Sequence, residues 1–127
     1  VRWLLRGTVN PAYLRHRAGF IEALDLRLFT PEWLDGQVES GALTLFHSND
    51  AAILARMITA PTGVVIVEGA YATGSATAIR DLKIEVEKWG ASHGAQFGTI
   101  SSRRAWTKLF PDYHEYKVTL MKDLQNG

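Results

Sequence analysis

Four consecutive apolar residues, Val64-Val65-Ile66-Val67, followed shortly by a glycine and a helix-capping serine, restrict this chain more than any other stretch. A strand that is apolar at successive positions rather than alternate ones buries both of its faces. It therefore belongs in the middle of a sheet with helices on both sides. After it the sequence predicts a glycine-bearing turn from Gly69 to Gly74 and a long helix from Ser75 to His93. Ile79, Leu82, Val86 and Trp89 form the buried stripe of that helix, Ser75 caps its start, and Gly94 takes the C′ position. Its opposite face, with Arg80, Lys83, Glu87 and Lys88, reads as solvated surface.

A strand entering a helix through a tight turn aims free backbone N–H groups and the positive end of a dipole at whatever occupies the turn. Here the donors are those of Gly74, Ser75, Ala76 and Thr77, and an anion such as a phosphate suits them. The same residues also read as a plain strand-to-helix turn. Downstream come a short strand, Phe97 to Ile100, a short helix, Arg103 to Phe110, and a closing strand, Tyr116 to Met121. Upstream, Arg2 to Val9 reads as a first strand, and Asn10-Pro11 caps a helix carrying Tyr13, Leu14, Ala18, Ile21 and Leu24 on one face. Thr30-Pro31-Glu32 opens a second helix, with Trp33, Leu34 and Val38, which Gly41 ends. Leu43 to His47 alternates as a strand, Ser48-Asn49-Asp50 turns, Ala52 to Thr59 forms the next strand, and Pro61-Thr62-Gly63 turns again. The whole reads as one α/β domain, of the α+β kind, spanning residues 1–127: a mixed sheet with helices on both faces.

Composition removes several classes of function. Fourteen Lys and Arg against thirteen Asp and Glu leave a net charge of +1, so there is no basic footprint for dedicated nucleic-acid binding. The chain has no cysteine, which excludes disulfides and thiolate metal sites. Four histidines, His16, His47, His93 and His114, sit without ligand spacing or an acidic cluster, so no metal site is expected. No Gly-x-Ser-x-Gly elbow marks a hydrolase. No apolar run approaches the roughly 20 residues that span a bilayer, and the first residues lack a signal-like apolar region. A cytoplasmic or assembly-borne protein is expected.

The order of elements, with a glycine turn before the long helix, resembles the GNAT (Gcn5-related N-acetyltransferase) fold. Locally, Glu87-Lys88-Trp89-Gly90-Ala91-Ser92-His93-Gly94-Ala95 and Ser102-Arg103-Arg104-Ala105-Trp106-Thr107-Lys108-Leu109-Phe110-Pro111-Asp112-Tyr113 look like the helix, Arg-x-x-Trp helix and tyrosine corner of small GNAT-like proteins, including many encoded by tailed phages. The resemblance implies acetyl-CoA in a V-shaped split between the Val64 strand and the Phe97 strand. It places the pyrophosphate motif Gln/Arg-x-x-Gly-x-Gly/Ala on Tyr71-Ala72-Thr73-Gly74-Ser75-Ala76, with Tyr71 where the family has a basic or amide side chain.

The resemblance also makes Glu68, at the end of the central strand, the candidate general base, its pKa raised by burial beside apolar residues. A carboxylate that caps nearby N–H groups is the competing reading. The family's usual acid, a tyrosine on the helix after the split, is replaced by Trp106. Tyr113, with Tyr116 nearby, supplies the remaining hydroxyl, and both also read as core aromatics. Ser101-Ser102-Arg103-Arg104 reads either as an anion contact near the cofactor's path or as helix punctuation. Two functions follow: a GNAT-like domain whose chemistry has degenerated, serving as a structural or interaction protein, for example in a phage virion, or an acetyl-CoA-dependent N-acyltransferase acting on an amine. GNAT-like domains often dimerise, so protein partners or a homo-oligomer are expected, with the closing strand as the place for a partner.

Overall fold

The computed structural model describes residues 10–101, 106 and 108–125. The expected strand Arg2 to Val9 and half of the expected helix from Arg103 lie outside the described residues. Among the described residues three helices and four strands follow one another as α1 (Pro11–Ala23), α2 (Pro31–Ser40), β1 (Thr44–His47), β2 (Ala51–Thr59), β3 (Val65–Gly74), α3 (Ala76–Ser92) and β4 (Phe97–Ile100). The sheet order is β1-β2-β3-β4, with β1, β2 and β3 antiparallel and β4 parallel to β3 across the α3 crossover. Among the described residues no helix is long and apolar enough to cross a membrane.

Period-two alternation along β2 divides the interior into two cores. Ala52 and Leu54 pack with Tyr13, Phe20, Leu24, Leu34 and Leu43 beneath α1 and α2. Ala51, Ile53 and Ala55 pack with Val67, Ile79, Leu82, Val86 and Phe110 beneath α3. The expected helix-covered sheet with the Val64 run inside it is therefore what forms. Both helices approach β3 through a glycine. A Cβ on Gly90 of α3 would lie 2.6 Å from Val67 Cβ, and one on Gly19 of α1 would collide with the Thr73 side chain. Capping follows the sequence: Asn10 accepts from the Ala12 amide, Thr30 from the Trp33 amide and Ser75 from the Ala78 amide, and Gly41 closes α2 at φ 82°.

Four expectations are corrected. The stretch from Gly69 to Gly74 is strand rather than turn, because Ala70 to Gly74 carry the β3 ladder on to the start of β2. Ala70 is the extra residue of a bulge, since Leu54 opposes Tyr71 while Ala55 opposes Gly69. In α1, Leu14 and Ala18 face outward, and Ala12, Tyr13, Phe20 and Leu24 are buried, because the helix lies against β3 along the line of Gly19. In α3, Lys83 is buried and Glu87 is half-buried under the turn that follows β4, so neither belongs to a solvated face. Trp89 is half-buried, its ring 5.3 Å edge-on from Phe46. Finally, among the described residues no ladder includes residues 116–121. The segment keeps its alternating pattern, but no described strand lies hydrogen-bonded beside it.

One buried polar group joins the first two helices. Asp35 of α2 is fully buried, accepts from Arg17 Nε and Nη2 at 2.8 Å each, and accepts from the Tyr13 hydroxyl at 2.6 Å. The bidentate geometry offsets much of the desolvation of the carboxylate.

Candidate functional site

β3 and β4 pair from Ile66 with Phe97 to Gly69 with Ile100, and there the pairing stops. The bulge at Ala70 begins at that point, and β3 runs on from Ala70 to Gly74 without β4 beside it. Among the described residues the β3–β4 ladder thus ends where the expected split would open, and the bulge that strengthens local twist lies at that point.

At the far end of β3, Gly74 has φ 114°, and a Cβ there would collide with the Asp50 carbonyl oxygen and lie 2.5 Å from Ala51 Cα. Backbone packing on β2 alone therefore demands glycine at this position. The next amide, Ser75 N–H, donates to the Asp50 carbonyl at 3.0 Å, and the Ser75 hydroxyl accepts from Ala78 N–H at 3.3 Å. Of the four donors named for an anion, Ser75 is committed to the fold. Ala76 and Thr77 are exposed at the first two positions of α3, where a helix has no use for its own amides. Tyr71 lies on β3 with its ring against the α1 core, and Glu68 and Arg56 are close enough to act on its charge. Burial, before those charges, raises its phenol pKa.

Glu68 accepts from Arg56 Nε at 2.7 Å, across the register that sets Arg56 opposite Glu68. Its surroundings are an ion pair with a half-exposed guanidinium rather than an apolar pocket. Tyr113 lies on the other side of the sheet. Its hydroxyl donates to Glu87 Oε2 at 2.7 Å, and a Cβ on Gly98 would come within 2.9 Å of that oxygen. Burial first, then the hydrogen bond and charge of Glu87, push the Tyr113 phenol above its ordinary pKa. Glu68 and Tyr113, candidate base and acid, therefore stand on opposite faces: Val67 and Gly69 of β3 face α3, and Glu68 between them does not. Of the Ser101 to Arg104 step, only Ser101 lies among the described residues.

Between the split and α3 lies a cavity of about 30 Å³ whose lining includes Gly69, Ile79, Lys83, Thr99, Trp106 and Tyr113. It is closed by a cluster the sequence did not announce. Lys83 Nζ reaches Asp112 Oδ1 at 2.8 Å and Glu87 Oε2 at 3.6 Å, and lies 5.3 Å and 5.0 Å from the centres of the Phe110 and Tyr113 rings. Amides of Leu109 and Phe110 both turn back onto the Trp106 carbonyl, and Tyr113 N–H onto that of Phe110, which folds residues 106–113 against α3. The Lys83–Glu87 spacing was legible as an i,i+4 pair, but nothing local placed Asp112 over it. Arg56 was within reach of sequence reasoning, because the turn after Thr59 sets the hairpin register. Among the described residues no group of three or more His, Asp or Glu is arranged to hold a metal ion.

No family model and no curated protein matches this sequence. Solved structures do match its fold. A Trypanosoma brucei acetyltransferase aligns with a TM-score of 0.64 at 8% identity, over 89% of this chain and 93% of that one. An aminoglycoside acetyltransferase from an uncultured soil sample, solved with sisomicin, aligns with a TM-score of 0.64 at 9% identity, over 90% of this chain and 89% of that one. A probable acetyltransferase aligns at 0.62 and 6% identity, over 91% and 97%. The fold is GNAT-like: a mixed α/β sheet with helices on both faces, shared with acetyltransferases. At these identities the likeness concerns the fold, and the activity has to be argued from the site.

Proposed function

We propose that this chain is a GNAT-like domain whose acyl-CoA site is reduced, and that it works through its surfaces as a structural or interaction component, in the cytoplasm or in a particle. The observation that carries this reading is the 30 Å³ cavity at the split. Pockets for organic ligands measure about 300–1,000 Å³, and a space this small holds about one water molecule. The thiol-bearing arm of an acyl-CoA does not fit it. The phosphate end of such a ligand has the amides of Ala76 and Thr77, without that of Ser75, which donates to Asp50.

The alternative, an acetyl-CoA-dependent N-acyltransferase, is favoured by a different observation: β3 is free of β4 from Ala70 to Gly74, beside the start of α3. In that reading Glu68, paired with Arg56, assists deprotonation of the amine, and Tyr113 must leave Glu87 to donate a proton. Release of free thiol from acetyl-CoA in the presence of small amines and aminoglycosides separates the two. No release above the protein-free rate is expected. Turnover that disappears in Glu68→Gln would establish the enzyme.

A further inference from the structure

The cavity at the end of the β3–β4 ladder has one wall unlike the others. Ile53, Val67, Ile79, Val86 and Phe110, which form its floor, are all buried. Lys83 and Tyr113 are tied in place, the one to Asp112 at 2.8 Å and the other to Glu87 at 2.7 Å. Trp106 is half-buried, and among the described residues its indole N–H donates to no protein group. A buried tryptophan N–H ordinarily finds a partner, so this one turns to water and the ring stands at the mouth of the cavity. Its ring neighbour is Phe110, with centres 5.5 Å apart and planes at 52°. The main chain beneath it is fixed, since the Trp106 carbonyl accepts from the Leu109 amide at 3.0 Å and the Phe110 amide at 2.9 Å. Packing alone therefore holds the indole where it is.

We propose, on the reading that the acyl-CoA site is reduced, that Trp106 is the residue that reduces it: the indole is a plug, standing where the thioester end of an acyl-CoA would enter. Gly69 and Ile100, the last pair of the ladder, and Ala72, beyond it on β3, all line the cavity. The mouth that Trp106 fills thus lies where the two strands stop pairing. Behind the plug the lining suits an acyl group better than a charged one. Its floor is aliphatic and aromatic, and the cation beside it, Lys83, already donates to both oxygens of Asp112. Size agrees with this chemistry. A large side chain removed from a packed interior leaves a space on the order of 150 Å³, which takes a guest the size of benzene, and a thioacetyl group has fewer heavy atoms than benzene. Added to the 30 Å³ already present, the space vacated by the indole admits that group with α3 and β3 left in place. Trp106 is therefore a specificity-determining residue, and a smaller side chain there reopens the site.

Calorimetric titration of acetyl-CoA into the wild type, Trp106→Ala and Trp89→Ala tests the plug. Trp89 is half-buried as well but does not line the cavity, so its variant controls for a general loosening of the fold. Trp106→Ala is expected to bind acetyl-CoA at least tenfold more tightly than the wild type, and Trp89→Ala no more tightly. Circular dichroism and a cooperative melt establish that each variant is folded. Trp106→Leu, which keeps an apolar contact with Phe110, takes the place of Trp106→Ala if the latter does not fold. A folded Trp106 variant that binds no better than the wild type, or an equal gain in Trp89→Ala, would overturn the plug and leave the reduced site standing. Micromolar binding by the wild type would instead overturn the reduced site, and the plug with it.

Discussion

Two glycine-to-alanine substitutions, each within a helix, should change stability in opposite directions. Gly36 in α2 has nothing within 4 Å of an added Cβ, so Gly36→Ala gains helix propensity alone, about 1 kcal/mol. Gly90→Ala gains the same term but drives its Cβ to 2.6 Å from Val67 Cβ and Cγ1 and 3.0 Å from Cγ2. Carbon atoms pack at about 3.5–4.0 Å, so α3 must withdraw by about 1 Å from a fully packed strand. Val67 cannot turn aside, being buried, β-branched and held in the sheet. Overpacking of this kind costs about 1–3 kcal/mol, which leaves Gly90→Ala destabilised by about 1 kcal/mol. The pair should therefore differ by about 2 kcal/mol, or roughly 6–12 °C in melting temperature for a domain of this size. Urea unfolding with matched m-values measures both. If Gly90→Ala is as stabilising as Gly36→Ala, α3 does not rest on β3 through Gly90, and the close approach that frames the split is wrong.

Asp35→Ala should cost about 2–4 kcal/mol in the same assay, because it removes the acceptor of the buried Tyr13 hydroxyl and of Arg17, whose partial exposure moderates the loss. The Lys83 hydrogen bond holds Asp112 below its ordinary pKa in the folded chain. That pair stabilises the fold above about pH 4 and loses its effect as pH falls through the lower folded value. Asp112→Asn should remove this component of acid sensitivity, worth under about 1 kcal/mol for so exposed a carboxylate, in melts between pH 2 and 6. Trp89→Ala should cost about 2 kcal/mol, below the 3–5 kcal/mol of a fully buried aromatic, because the ring is half-buried on Phe46.

Elements whose signals are local were readable in the sequence. The caps at Asn10, Thr30 and Ser75 and the Ile79, Leu82, Val86 stripe each depend on neighbours within one turn, and each is where the pattern put it. The interior place of β3 in the sheet was readable from the unbroken apolar stretch, although of the Val64 run only Val67 is buried and Val64, Val65 and Ile66 are half-buried. What failed depends on long-range contact. Gly74 looks like a turn glycine, but its reason is the backbone of Asp50 and Ala51, more than twenty positions away. Lys83 looks like a surface lysine until Phe110, Asp112 and Tyr113 fold over it. In the candidate site, the motif located the helix start correctly but could not reveal that the Ser75 amide is spent on Asp50 or that Glu68 faces Arg56. Residues 116–121 have the alternation of a strand, but alternation by itself does not supply a hydrogen-bonded neighbour.

Calorimetric titration of acetyl-CoA into the wild type and into Ala76→Glu tests the reduced site most directly. Ala76 is exposed at the first position of α3, where an acidic side chain suits the helix dipole, so this variant folds normally and sets a negative charge where a pyrophosphate must sit. Gly74→Glu would not serve, since any side chain there strikes Asp50 and Ala51. Two amides at about 1.5–3 kcal/mol each support a dissociation constant no tighter than about 40 µM, so neither protein should show binding heat at concentrations well below that. Micromolar binding by the wild type that Ala76→Glu abolishes would contradict the reduced site and restore the acyltransferase reading.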